Sequence, residues 1–218
     1  MDQKFGILNV QVPIRMTVIK LASGLFIYNP VAATPEVVQW IKDLEVREGK
    51  AVKYIVVGSV AAEHKVYASV LAQKFSKADV WLTQGQYSFP ANLPQSFLGF
   101  PSSRTKFLNP DGSGGDAAWK EELQYLTLGP FISRDGAFAE SVFLHKPTQT
   151  LLCTDTVLEV TDEVPNIYDV DPHPLLFHAR DTVSDVLVDS EEVRKRGYRR
   201  IVLFGLYFTP SAIVIKDV

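Results

Sequence analysis

Histidine is the commonest transition-metal ligand, and the sequence has four: His64, His145, His173 and His178. His64 directly follows Glu63, shortly after the apolar run Lys53–Val57, which reads as a buried strand. In an open α/β sheet, ligands gather at the carboxyl ends of strands, so Glu63 and His64 stand where a metal or substrate would be met. The plainer alternative is a polar surface group at the start of a helix. Asp155 ends the stretch Thr150–Thr154, and a carboxylate at a strand end either binds a metal or caps a following helix. His145 ends the preceding strand, before a Lys146-Pro147-Thr148 hairpin turn, a position that faces solvent more often than it ligates. His173 and His178 lie five apart between Asp171 and Asp181. They can join a site, but a proline-rich surface loop is the plainer reading.

Other chemistry is thin. Gly112-Ser113-Gly114-Gly115 has no Lys-Ser/Thr after it and no strand before it, so it does not read as a phosphate loop. No Gly-x-Ser-x-Gly nucleophile elbow occurs. The single cysteine, Cys153, excludes a disulfide framework and a Cys-rich zinc site, and its apolar neighbours predict a buried, inert thiol. Twenty-two basic against 25 acidic residues, net charge −3, give no nucleic-acid footprint. With 46% hydrophobic residues the chain is not disordered. The longest apolar run, Ile201–Ile215, is interrupted by Pro210 and falls short of the ~20 residues of a spanning helix, so it is expected in the core. The first fifteen residues show neither a secretory leader nor a transit segment.

The elements that must position these residues follow from periodicity. Phe5–Val12, Met16–Lys20 and Leu25–Tyr28 read as strands, with Ser23-Gly24 as a tight turn. Thr34-Pro35-Glu36 is a helix start, and apolar residues three and four apart carry a helix from Pro35 to Arg47. Strand Lys53–Val57, helix Glu63–Phe75 with Val66, Val70, Leu71 and Phe75 inward, and strand Asp79–Leu82 complete an α/β signature. Residues 83–115 hold five glycines and four prolines beside Tyr87, Phe89, Phe97, Phe100 and Phe107. Such an aromatic loop is expected to be a packed insertion or lid, with Asn109–Gly115 as its mobile tip. A turn at Ala117–Glu122 leads to strands Leu123–Leu128, Ala139–Leu144 and Thr150–Cys153. Asp169–Asp181 reads as irregular, Ser190–Arg196 as a capped helix broken by Gly197, and Tyr198–Phe208 as a buried helix, with a strand as the alternative. The whole chain, 1–218, is expected to form one domain.

Several segments carry a family resemblance. The run from Met16 to Val31, together with Val52–Val56, Ala62–Lys65, Pro90–Pro94, Val142–Thr148 and Thr150–Asp155, resembles an uncharacterised metallo-β-lactamase-like family common in photosynthetic organisms, the plastid-type members above all. The resemblance implies a four-layer αββα sandwich and, in the wider superfamily, a two-metal hydrolase centre signed by His-x-His-x-Asp-His after a strand. With Lys53–Val57 as that strand, the signature positions are Ser59, Ala61, Glu63 and His64, so two histidines are missing and the aspartate is a glutamate. The metal-bridging aspartate falls on Asp155; the histidine before it falls near Ala137 and is absent, while His145 matches this family's own pattern. Related proteins continue past Val218 with a further histidine, so the sandwich is expected to be incomplete in its C-terminal half. The residues themselves read as a soluble protein compatible with a reducing compartment, cytoplasmic or, by the family resemblance alone, plastid.

Glu63, His64 and Asp155 thus remain to hold one divalent metal, whether zinc, iron or manganese, with His145 to be recruited for any larger set; no metal at all is the equal alternative. The first functional reading is a metal-dependent hydrolase of unknown substrate, with Glu63 or Asp155 positioning a metal-bound water and residues 83–115 shaping the pocket. The second is a non-catalytic binding or interaction protein on a degenerate scaffold, its partner surface at Tyr87–Phe107. A third is a fragment with Tyr198–Ile215 exposed. Neither nucleic acid nor membrane is an expected partner.

Overall fold

The computed structural model describes residues 1–7, 9–86, 93–133, 136–157, 159 and 161–207. The fold is mixed α/β and divides into two compact units, Met1 with Arg15–Leu158, and Asp2–Ile14 with Glu159–Val218. The second opens first in sequence, with β1 (Asp2–Ile7) paired to β2 (Val10–Arg15). The single strand expected over Phe5–Val12 is therefore two.

In the first unit, β3 (Thr17–Leu21) and β4 (Gly24–Tyr28) form an antiparallel hairpin. Helix α1 (Pro35–Glu48) then crosses over to β5 (Val52–Val57). It starts where proline and cap require: Thr34 Oγ1 accepts from the Val37 N–H at 3.4 Å, and Gly49 ends it in the left-handed region. Two short helices follow, α2 (Ala62–Lys65) and α3 (Ala68–Lys74), then β6 (Asp79–Leu82) and β7 (Thr105–Phe107). The five-stranded sheet has the order β3-β4-β5-β6-β7, parallel from β4 to β7. Right-handed crossovers between neighbouring parallel strands place α1 and α3 on one face, over the buried Leu25, Ile27, Ile55 and Val57. The one helix expected over Glu63–Phe75 is broken at Val66-Tyr67. That turn resets the helical phase, so α3 buries Ala68, Leu71 and Ala72 while Val66 and Val70 are exposed.

The second sheet of this unit is antiparallel, with the order β10-β9-β8 from β8 (Leu123–Ser133), β9 (Gly136–His145) and β10 (Thr150–Leu152). It packs on the other face of the large sheet through an aromatic core. Phe26, Tyr28, Tyr54, Val56 and Trp81 meet Leu123, Tyr125, Phe143 and Leu152 there. Trp119 is fully buried among them, its ring centroid 4.9 Å from Tyr54 and 5.0 Å from Trp81.

Residues 83–115 are less of an insertion than expected, because β7 belongs to the sheet. Phe100 and Leu108 are buried, whereas Phe97 and Phe107 are exposed. Tyr87, Phe89 and the Pro90–Asn92 part of the family-like segment lie outside the described residues. The polar tip expected to be mobile is held: the Asn109 N–H donates to Tyr125 Oη at 3.0 Å, and Lys120 Nζ donates to the Ser113 carbonyl at 3.0 Å.

The second unit continues with a 3-10 turn at Asn166–Tyr168, α4 (His173–Ala179) and α5 (Glu191–Tyr207). Its core is Tyr168, Leu175, Tyr198 and Ile201, with Val12, Val164, Ile167 and Val202 against it. The stretch Asp169–Asp181, expected to be irregular, contains α4, which Asp171 opens by accepting from the His173 N–H at 3.1 Å. Ser190 caps α5 as expected, at 3.3 Å from the Val193 N–H. The break expected at Gly197 does not occur. A Cβ at 197 would lie 1.9 Å from the Leu175 carbonyl oxygen, so the glycine lets α4 and α5 touch rather than ending α5. Of the apolar run Ile201–Ile215, Ile201 is buried and Leu203 exposed; residues 208–215 lie outside the described set. Among the described residues no helix is long and apolar enough to cross a membrane.

Candidate metal centre

The carboxyl end of β5 delivers the site. Gly58 follows the strand directly, and a Cβ there would lie 2.3 Å from the Tyr28 ring, so only glycine allows this approach. The Gly58 N–H donates to Asn29 Oδ1 at 2.7 Å. Asn29 itself sits at φ 48°, the left-handed region that asparagine tolerates better than most residues. From Gly58 the chain passes through Ser59 to α2, which carries Glu63 and His64.

Asp155 comes from the other sheet, just beyond β10, and reaches the same place. Ser59 Oγ donates to Asp155 Oδ2 at 2.7 Å, and His64 Nε2 lies 3.3 Å from Asp155 Oδ1. One ligand atom from each of Glu63, His64 and Asp155 falls within 4.8 Å of the other two. His64 is buried, Glu63 half-buried and Asp155 open to solvent, so the imidazole forms the floor and the carboxylates the rim.

This donor set fits a divalent cation. One imidazole nitrogen and two carboxylate oxygens suit zinc, manganese or iron, and three protein ligands are the usual number where a position is left for water or substrate. Ligand bonds of about 2.0 Å in a tetrahedron put neighbouring donors about 3.3 Å apart, which matches the His64–Asp155 separation of 3.3 Å. The negative potential at the site favours a cation, with the proton on His64 as its competitor. Burial disfavours the His64 imidazolium, but the Asp155 carboxylate outweighs it, with Glu63 and Glu140 adding negative potential, and its pKa lies above the ordinary value. Burial likewise works against the Asp155 anion, yet His64 and Ser59 hold its pKa below the usual carboxylate value.

The other sequence candidates lie elsewhere. His145, expected as a further ligand, is not part of this group. It sits at the end of β9 with Nδ1 2.7 Å from Thr148 Oγ1, five residues from Glu140, or about 17 Å along a strand. His173 and His178 belong to the second unit, where His178 Nε2 lies 3.1 Å from the Asn9 carbonyl oxygen. Cys153 is half-buried, just past β10, and burial pushes its thiol pKa up, as an inert thiol requires.

Sequence reasoning missed the residues around the ligands. Glu140, on β9, is fully buried. Its carboxylate accepts from the Asp155 N–H at 3.0 Å, the Thr156 N–H at 2.7 Å and Thr154 Oγ1 at 2.8 Å, and also from the Thr154 N–H and Thr156 Oγ1. Asn29 Nδ2 donates to Thr154 Oγ1 at 3.0 Å. Asn29 thereby ties the segment bearing Ser59 to the segment bearing Asp155. The one available signal was Glu140-Ser141, a polar pair inside an otherwise apolar strand, since buried glutamates are rare unless paired.

Among curated proteins no match to this chain is found. A family model does match, over residues 1–218, and it corrects the expectation from resemblance: the family shown is not the metallo-β-lactamase-like one. The chain belongs to the family described as Domain of unknown function (DUF4336).

Proposed function

We propose that Glu63, His64 and Asp155 hold one divalent cation and that the site is that of a metal-dependent hydrolase. The observation that carries this reading is the convergence of the three ligand atoms within 4.8 Å, two from the helix α2 after β5 and one from the loop after β10. When bound, such a cation supplies a water of lowered pKa, ready to attack at neutral pH. His64, on the buried floor, would hold the metal through Nε2. Asp155, held at Oδ2 by Ser59 and facing His64 with Oδ1, would supply that Oδ1 as a ligand. Glu63, on the half-buried rim, would hold the cation through one carboxylate oxygen and, through the other, would orient the water and accept its proton.

One observation favours a second reading. The exposed Leu93 and Phe107 line one open cavity of the 83–115 segment with Gln86, Gln95 and Phe100, as a non-catalytic binding protein would display for a small molecule or protein partner.

Elemental analysis of the purified protein, beside a His64→Ala/Asp155→Ala variant, tests the metal reading. About one equivalent of zinc, manganese or iron in the native protein, absent from the variant, is the expected result. Cation-dependent hydrolysis of a chromogenic ester or phosphoester then separates the hydrolase from the binding protein. No metal in either protein, after incubation with each cation, overturns the reading.

A further inference from the structure

Glu140 is the least expected group in the molecule: a carboxylate with no exposure, in the middle of a strand. Burying an anion is costly unless its hydrogen-bonding capacity is filled. Here it is filled by one short segment. Backbone N–H groups of Thr154, Asp155 and Thr156 and the hydroxyls of Thr154 and Thr156 all point to the two Glu140 oxygens. Three successive backbone amides converging on one carboxylate fix the backbone on both sides of Asp155 as well as at Asp155 itself.

We propose that Glu140 is a positioning residue for the metal centre: it clamps residues 154–156 and so sets where Asp155 presents its carboxylate. This rests on the metal-binding reading of Glu63, His64 and Asp155. Glu140 touches none of the three ligand side chains through the hydrogen bonds described, and acts through the backbone of one of them. Such outer residues commonly cost about 10–100-fold in metal affinity when lost. The arrangement also accounts for the threonines flanking Asp155. Each supplies a backbone donor and a hydroxyl donor, where an alanine would supply one.

The test uses the full chain, stripped of metal, with Glu140→Gln as the main variant and Thr156→Val as the milder one should Glu140→Gln fail to fold. Two readouts are needed. Amide hydrogen exchange in the metal-free protein reads the clamp directly. The amides of residues 154–156 are expected to be protected in the native chain and to exchange at least about tenfold faster in Glu140→Gln, with the other β9 and β10 amides unchanged. Thr156→Val should show the same change, smaller. Zinc titration reads the consequence: Kd rises about tenfold or more in Glu140→Gln and, in an Asp155→Asn background, the same substitution adds nothing. Unchanged exchange at 154–156 overturns the proposal whether or not metal binds. An equal loss of zinc affinity in the Asp155→Asn background also overturns it, because Glu140 would then act by its charge or through the whole fold. Loss of protection in a chain that takes up no zinc overturns the metal reading instead, and leaves the clamp standing.

Discussion

At the scale of single residues, the His64–Asp155 pair sets how the metal-free site responds to pH. His64 is held above its ordinary value of 6.5. Its contribution to stability is therefore complete below that value and is lost as pH rises through the raised one. Asp155 is held below its ordinary 3.8, so its contribution is complete above 3.8 and is lost as pH falls through the lowered one. The pair stabilises most between those limits, by no more than about 1 kcal/mol given how open Asp155 is to solvent. Urea unfolding of the chelator-treated protein, followed by near-ultraviolet circular dichroism, should show native chain and His64→Gln differing most in this window and converging on either side. A difference that stays constant across the whole range contradicts the assignment. Zinc competes with the proton for Nε2, so its affinity should fall as pH drops through the raised His64 value.

At the scale of elements, what was legible in the sequence was whatever rests on local chemistry. Thr34-Pro35 announces α1 because cap and proline act within one turn, and Lys53–Val57 and Asp79–Leu82 announce strands because buried parallel strands are continuously apolar. Glu63 and His64 could be singled out because strand ends are where open α/β sheets place ligands, and Asp155 as a carboxylate at a strand end with helix capping as the alternative; the family resemblance alone joined the three. What failed was whatever rests on contact between distant segments. Gly197 looked like a helix breaker because local propensity counts against glycine, yet its cause is the Leu175 carbonyl on another helix. Glu140 went unread because its partners lie 14 to 16 residues ahead, across a hairpin. His145 entered the ligand set through the family resemblance, although its place before a hairpin turn already read as solvent-facing. The Gly197 account predicts that Gly197→Ala forces α4 and α5 apart and destabilises the second unit by about 1–3 kcal/mol. Far-ultraviolet circular dichroism melts of variant and native chain measure it, and an unchanged midpoint would refute the close approach.

At the scale of the whole molecule, the aromatic layer between the two sheets backs the candidate metal centre, beside the polar ties of Asn29 and the Ser59–Glu140 bridge, since Ser59 and His64 follow a strand of one sheet and Asp155 a strand of the other. Phe143 is fully buried, with its ring against Phe26, Tyr28, Trp119 and Tyr125. Phe143→Ala should cost about 3–5 kcal/mol, a large share of the ~5–15 kcal/mol by which such domains are stable. Calorimetry should record the loss, and zinc affinity should fall with it although no ligand has been touched.

The same layer has an optical consequence. The three tryptophans of the chain are Trp40, Trp81 and Trp119, and all three fall within the unit Arg15–Leu158. The other unit carries only tyrosine and phenylalanine rings. Light absorbed by indole alone is therefore emitted from the unit Arg15–Leu158, where Trp119 is fully buried among other rings. Fluorescence follows the unit Arg15–Leu158 without contribution from the other, while far-ultraviolet circular dichroism follows both, with α1 in one unit and α4 and α5 in the other. If both signals melt at one temperature, the two units unfold as one cooperative body; if they part, each stands by itself.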